Sequence, residues 1–135
     1  MLNIAVLVSG GGTNLEAIFK AMEDGRITDA KISVVISNNQ QAYALERAKK
    51  RNVEAICVSP KSYETRQEFY VQLMEEIRSR KIDVIVLAGY LVQISSEMVD
   101  AFPMKILNIH PSLIPSFCGK GCYGIHVHEN ALERG

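Results

Sequence analysis

No part of this chain carries the surplus of positive charge that nucleic acid demands. Its 15 Lys and Arg balance 15 Asp and Glu, and the only three-residue basic run, Lys49-Lys50-Arg51, reads as the solvated end of a helix. Nucleic acid is therefore not expected as a partner. Long apolar runs are missing as well: the first, Ile4 to Val8, is too short for a signal-peptide core or a membrane span. The expectation is a cytoplasmic protein with no membrane partner. Cysteine is scarce, and the three present, Cys57, Cys118 and Cys122, cannot all pair; in a reducing cytosol no disulfide is expected. With His126 and His128 the last two raise a zinc site. Only three residues separate Cys122 from His126, however, where structural zinc sites usually set about a dozen or more between their ligand pairs. No metal is expected.

What is present is alternation. With 47% apolar residues in 135, the chain can bury one real core and is read as a single domain over residues 1–135. Apolar runs at 4–8, 32–36, 55–58, 84–88 and 106–109 alternate with stretches of helical period at about 14–23, 41–51, 63–80 and 95–101, and a last helix is expected from about 127. Leu73, Met74 and Ile77 fall on the core face of the third helix. Strand and helix in repetition predict an α/β fold: a doubly wound, mostly parallel, Rossmann-like sheet with helices on both faces. The run Val84-Ile85-Val86-Leu87-Ala88 is apolar on both faces, as a central strand covered from both sides should be. Such a sheet holds ligands at the carboxyl ends of its strands. The informative residues are therefore Ser9 to Asn14, Ser37 to Asn39, Gly89 to Ile94 and Asn108 to Pro111.

The segment Ser9-Gly10-Gly11-Gly12-Thr13-Asn14 leaves the first strand and enters the first helix. Its glycines let backbone approach a ligand, Thr13 or Asn14 is the expected helix cap, and the N–H groups of the helix start face an anion. It is not the dinucleotide fingerprint, because Leu15 stands where the third glycine belongs, nor a triphosphate loop, because no G-K-[ST] follows. A single phosphate monoester is the expected ligand. Further along, Asn108 and His110 alternate onto one face at the end of a strand, just before Pro111 stops the ladder. An amide donor beside an imidazole is equipment for acyl transfer. Asn108 can donate to an oxyanion, a contact whose loss costs about 3–4 kcal/mol, and His110 titrates near neutrality and can move the proton.

These residues carry a resemblance. The chain resembles the folate-dependent phosphoribosylglycinamide formyltransferases in its Ser-Gly-x-Gly-[Ser/Thr]-Asn opening at 9–14 and its Asn-Ile-His-Pro-Ser-Leu-[Leu/Ile]-Pro run at 108–115. Ser37-Asn38, Leu87-Ala88-Gly89-Tyr90 and His126-x-His128 are intermediate markers. The resemblance implies formyl transfer from 10-formyltetrahydrofolate, as co-substrate, to the amine of glycinamide ribonucleotide in purine biosynthesis, without a metal. It assigns the ribonucleotide phosphate to Gly12, Thr13 and Asn14, the surrounding cleft to Arg66, Gly89 and Pro111, and the catalytic pair to Asn108 and His110. The pterin pocket falls to Leu91, Val92, Gln93, Ile94, Val99 and Ile106; many relatives carry a basic residue where Val92 stands. His126 and His128 are accessory residues at the floor of the site, or polar residues opening the last helix. A homodimer is left open.

The resemblance also implies that the chain is the N-terminal part of a catalytic domain incomplete at its C-terminus. Family members continue past the position of Gly135, with further strands and an Asp that pairs with the catalytic His. An imidazole without that carboxylate loses the group that fixes its tautomer, so the chain as given is expected to be impaired. Three readings compete with this one. A methionyl-tRNA formyltransferase is disfavoured by the neutral charge; a non-catalytic module would bind a phosphoribosyl ligand without folate; a truncated subunit would associate to complete its core.

Overall fold

Alternation along the first strand shows how a two-sided sheet arises. In β1 (Leu2–Val8), Ala5 and Leu7 enter one hydrophobic cluster while Ile4, Val6 and Val8 enter another on the opposite face. The computed structural model describes residues 1–110 and 124–127. After β1 come α1 (Thr13–Glu23), β2 (Ala30–Ser37), α2 (Tyr43–Lys50), β3 (Glu54–Cys57), a 3-10 turn at Pro60–Ser62 and α3 (Arg66–Arg78). Then follow β4 (Val84–Ala88), α4 (Ser96–Ala101), β5 (Ile106–His110) and β6 (Gly124–Val127). The strands lie in the order β3-β2-β1-β4-β5-β6, with the first five parallel and β6 antiparallel to β5. This is the expected doubly wound, mostly parallel sheet.

Helices cover both faces. Phe69, Leu73, Met74 and Ile77 of α3 and Met98 of α4 pack with Ala5, Leu7, Ile85 and Leu87 on one side. Leu15 and Phe19 of α1 and Ala44, Leu45 and Ala48 of α2 pack with Val6, Val8 and Val86 on the other. At about 25 cal/mol per Å² of apolar surface removed from water, these two clusters are the main stabilising term of the fold.

Two elements differ from the sequence expectation. The long helix starts at Arg66 rather than 63, because Thr65 closes a capping box: its hydroxyl accepts the Glu68 N–H at 3.1 Å, and the Glu68 carboxylate accepts the Thr65 N–H at 3.2 Å. At the other end, Val127 does not open a helix. It closes β6, whose backbone pairs with β5 so that Asn108 stands opposite His126 and His110 opposite Gly124. Residues 128–135, where the rest of that helix was expected, lie outside the described residues. Among the described residues no helix is long and apolar enough to cross a membrane.

The order of strands reverses between β1 and β4, the neighbours at the centre of the sheet. Connections leave these two strands in opposite directions, which opens a crevice at their carboxyl ends.

Candidate functional site

One buried hydroxyl occupies that crevice. Ser9, 8% exposed, follows β1 directly. Its Oγ–H donates to Oδ1 of Asn38, just past β2, at 2.6 Å, and the same oxygen accepts the N–H of Leu91, past β4, at 2.8 Å. Three strand ends are thereby tied together. Ser37, fully buried, adds a local turn by accepting the Asn39 N–H at 3.0 Å.

The glycine loop leads from Ser9 into α1. Neither Thr13 nor Asn14 caps the helix, as the sequence suggested; the N-cap is Gly12, with φ 81° and no side-chain cap. The first-turn N–H groups are therefore left for solvent or a ligand. Gly12 is required on two counts. Its φ lies where side chains are strained, and a Cβ there would meet Cβ of Ala44 at 2.7 Å. Helix α2 is what crowds the Cα of Gly12. Gly10 and Gly11 face open space instead.

The acidic residue at this helix start is compensated by arginines. Glu16, in the first turn of α1, would repel a phosphate, but Arg51 binds its carboxylate at 2.8 Å and Arg47 at 3.3 Å. The Arg51 hydrogen bond, aided by Arg47, holds the Glu16 carboxyl below its usual range and keeps it neutralised by partners. Arg47 also donates from Nε to the Gly11 carbonyl at 2.7 Å, and its guanidinium lies 5.0 Å from the centre of the Tyr43 ring. Sequence reading passed over Ser9 and Arg47 as individual residues. Ser9 lay inside the loop motif; Arg47 carries no local signal, because its partner is 36 residues away.

A groove of about 970 Å³ runs along the carboxyl ends of β2, β3 and β4. Asn38, Cys57, Arg66, Tyr70, Val92 and Gln93 are among the residues lining it. Arg66 is the first residue of α3, and Leu91 at the rim is 85% exposed. Tyr70 donates its hydroxyl to the Gln93 carbonyl, which anchors the loop after β4 from the helix side. Gly89, with φ 72°, turns the chain into this loop. Behind the groove the Tyr90 hydroxyl is buried without a hydrogen-bond partner among the described residues, and burial pushes its ionisation well above the ordinary phenol range. Burial also raises the Cys57 thiol.

The structure divides the sequence-derived residues. Arg66, Leu91, Val92 and Gln93 come together on the groove, and Val99 with Ile94 lines an adjoining hollow of about 530 Å³. Ile106, 3% exposed, sits in the core cluster with Ile85 and Leu87, so it supports the site from beneath. Ile94 is 7% exposed and belongs mainly to the same cluster. Gly12, Thr13 and Asn14 do not line the groove; they sit at the other end of the Ser9 bridge. Asn108 is half-buried on β5, in register with Leu87 of β4, and His110 ends that strand. His126 has its backbone place on β6, whereas Pro111 and His128 lie outside the described residues, as do Cys118 and Cys122.

Comparison with known proteins agrees with this geometry. A sequence model of the formyl transferase family matches residues 2–135. The chain is 39% identical over 135 residues to the phosphoribosylglycinamide formyltransferase of Haemophilus influenzae, spanning 100% of this chain and 61% of that protein. It is 38% identical over 134 residues to the chloroplastic phosphoribosylglycinamide formyltransferase of Arabidopsis thaliana, spanning 98% and 45%. The solved glycinamide ribonucleotide transformylase 1 of Symbiobacterium toebii aligns with a TM-score of 0.78 at 42% identity, over 100% of this chain and 61% of that one. The corresponding structure from Geobacillus kaustophilus gives 0.78 at 37%, over 100% and 69%. The chain thus spans about half to three fifths of the length of these two curated relatives.

Proposed function

Because the chain belongs to the formyl transferase family, we propose that it supplies the ribonucleotide loop and the catalytic pair of a phosphoribosylglycinamide formyltransferase, acting on glycinamide ribonucleotide in purine biosynthesis. The observation that carries this reading is the Ser9 bridge: an anion-receptive helix start and the groove-lining loop Leu91–Gln93 meet on one hydroxyl at the switch point. A two-substrate transfer needs that convergence. One substrate is anchored by its phosphate, and the other lies along the adjacent groove.

The residues present fit 10-formyltetrahydrofolate as the co-substrate. Tyr70, Leu91 and Val92 offer apolar and aromatic surface, the backbone of the 91–93 loop offers hydrogen-bonding groups, and Arg66, which the resemblance assigned to the ribonucleotide cleft, lines this groove and with Lys61 offers positive charge to a carboxylate. When bound, the folate supplies the formyl carbon. Asn108 donates its amide N–H to the formyl oxygen as negative charge builds there. His110 carries the proton: the substrate amine gives one up as its nitrogen bonds to the formyl carbon, and the departing folate nitrogen takes one as its bond to that carbon breaks. Thr13 and Asn14, with the α1 start, hold the phosphate so that the amine faces Asn108. His126, opposite Asn108 on β6, is an accessory residue of the same reading. A single N-terminal catalytic domain and a cytoplasmic setting belong to this proposal, as expected from the sequence, and a homodimer is left open.

The test is formyl transfer from 10-formyltetrahydrofolate to glycinamide ribonucleotide, assayed on protein expressed from its full reading frame, with binding of each ligand measured separately by calorimetry. Transfer is the expected result. Binding of the ribonucleotide without folate binding or transfer would make the chain a non-catalytic phosphoribosyl module.

A further inference from the structure

We infer that Ser9 is a positioning residue that sets the glycine loop and the 89–93 loop in register, so that the two substrates meet in reactive geometry; this rests on the formyl-transfer reading above. The inference starts from what one hydroxyl can do. It has a single proton, which goes to Asn38 Oδ1 at 2.6 Å, and its lone pairs then receive the Leu91 N–H at 2.8 Å. The chain Leu91 N–H, Ser9 O–H, Asn38 carbonyl runs in one direction, and each bond polarises the next. Ser9 is 8% exposed, so solvent cannot readily replace either partner.

The position matters more than the bond count. Ser9 directly precedes Gly10, Gly11 and Gly12, three residues with little conformational preference of their own. Leu91 directly precedes Val92 and Gln93, which line the groove, and follows Gly89, whose φ of 72° belongs to a turn rather than a strand. Between β1 and β4 the ladder ends at Leu7 opposite Leu87. Beyond that register no strand pairing relates the two loops, and the Ser9 hydroxyl spans the gap. Tyr70 fixes the far side of the loop at the Gln93 carbonyl, leaving Ser9 to fix the side nearest the glycines. A residue with this placement governs alignment between ligands more than the affinity for either one. Misplacement by about 1 Å can cost about a hundredfold in rate.

The test compares Ser9→Ala, Asn38→Ala and Ser9→Thr with the parent, using protein from the full reading frame. Two readouts are combined: kcat and KM for each substrate, and amide exchange at Leu91 by NMR with and without ribose 5-phosphate as a probe of the glycine loop. The expected result for Ser9→Ala is a fall in kcat of about tenfold to a hundredfold with each KM within about threefold, together with faster Leu91 exchange that the probe no longer slows. Asn38→Ala should share that signature in weaker form, and Ser9→Thr, which retains the hydroxyl, should recover most of both. A kcat per folded molecule unchanged in Ser9→Ala, or Leu91 exchange that ignores the substitution, would overturn the inference. Should the parent transfer no formyl group at all, the formyl-transfer reading fails, and the loop linkage is then decided by Leu91 exchange alone.

Discussion

Arg47 Nε donates to the carbonyl of Gly11 at 2.7 Å, reaching from α2 across to the glycine loop. All described peptide bonds are trans, so holding the Gly11 carbonyl toward Arg47 turns the Gly12 N–H the opposite way. Arg47 therefore fixes the orientation of a peptide in the proposed phosphate loop as well as its charge. Arg47→Ala is expected to weaken ribose 5-phosphate binding about tenfold in calorimetry, equivalent to about 1.4 kcal/mol. Arg47→Lys keeps the charge but lacks the planar fork, and should recover only part of the loss. Full recovery by Lys would mean that charge alone matters.

Gly12 and Gly10 should respond in opposite ways to the same substitution. An alanine at 12 meets Ala44 at 2.7 Å and must hold φ at 81°, whereas an alanine at 10 meets nothing within 4 Å. Gly12→Ala is expected to destabilise by about 2–4 kcal/mol, from overpacking and left-handed strain together. Gly10→Ala should leave the melting temperature nearly unchanged and instead reduce ligand affinity, since its side chain would stand in the open mouth of the loop. Thermal melts beside calorimetry separate the two effects.

The pattern of apolar runs carried the sheet, because parallel strands buried on both faces are apolar throughout, and Val84–Ala88 is such a run. Short-range signals carried the loop: three glycines after a strand have few other uses. Other features depend on contacts between distant residues. Four residues of Gly124–Val127 have no strong period of their own, and their strand exists through pairing with β5. Ile106 resembles a pocket residue in a motif yet belongs to the core cluster with residues of α3 and α4, and Ile94 shares that cluster while lining the adjoining hollow. Thr65-x-x-Glu68 was a legible capping box, and it would have placed the start of α3 correctly. The roles of Ser9 and Arg47 come from partners 29, 82 and 36 positions away, which no local pattern encodes.

Acid should loosen the fold through two carboxylates. Glu54 is held below its usual range chiefly by its hydrogen bond from Arg80, at 2.9 Å, and Glu16 by Arg51. Both carboxyls bind a proton less readily in the folded chain than in the unfolded one. Their stabilisation is present above the ordinary value of 4.5 and is lost as pH falls through the lower folded values. The melting temperature should decline below about pH 5. Glu54→Gln should lower it at pH 7 and shrink the difference between variant and parent by pH 3. A constant difference across that range would show that the ion pair contributes nothing through ionisation.

Asn108 provides the direct test of the proposed chemistry. Truncation to alanine removes the amide proposed to donate to the developing oxyanion, and comparable losses cost about 10²–10³ in kcat. Asn108→Ala is expected to fall in that range with ribonucleotide KM little changed, because the proposed phosphate contacts lie on the glycine loop. A raised KM with unaltered kcat would instead make Asn108 a ground-state binding residue.

Tyr70, which lines the groove, and Tyr90, behind it, should change stability in opposite directions when their hydroxyls are removed. Tyr70 donates to the Gln93 carbonyl, so Tyr70→Phe leaves that carbonyl without its partner. A loss of about 1 kcal/mol is expected, with faster amide exchange in the 91–93 loop. The Tyr90 hydroxyl is buried without a partner among the described residues, and such a group costs about 1–3 kcal/mol in desolvation. Tyr90→Phe keeps the ring packed against the core cluster and removes that cost, so its melting temperature should rise by a few degrees. The pair also dissects the groove: Tyr70→Phe should weaken folate binding by loosening the loop, while Tyr90→Phe should leave it unchanged. If Tyr90→Phe melts lower than the parent, its hydroxyl has a structural partner, and stability in that part of the groove depends on a hydrogen bond at Tyr90 as well as at Tyr70.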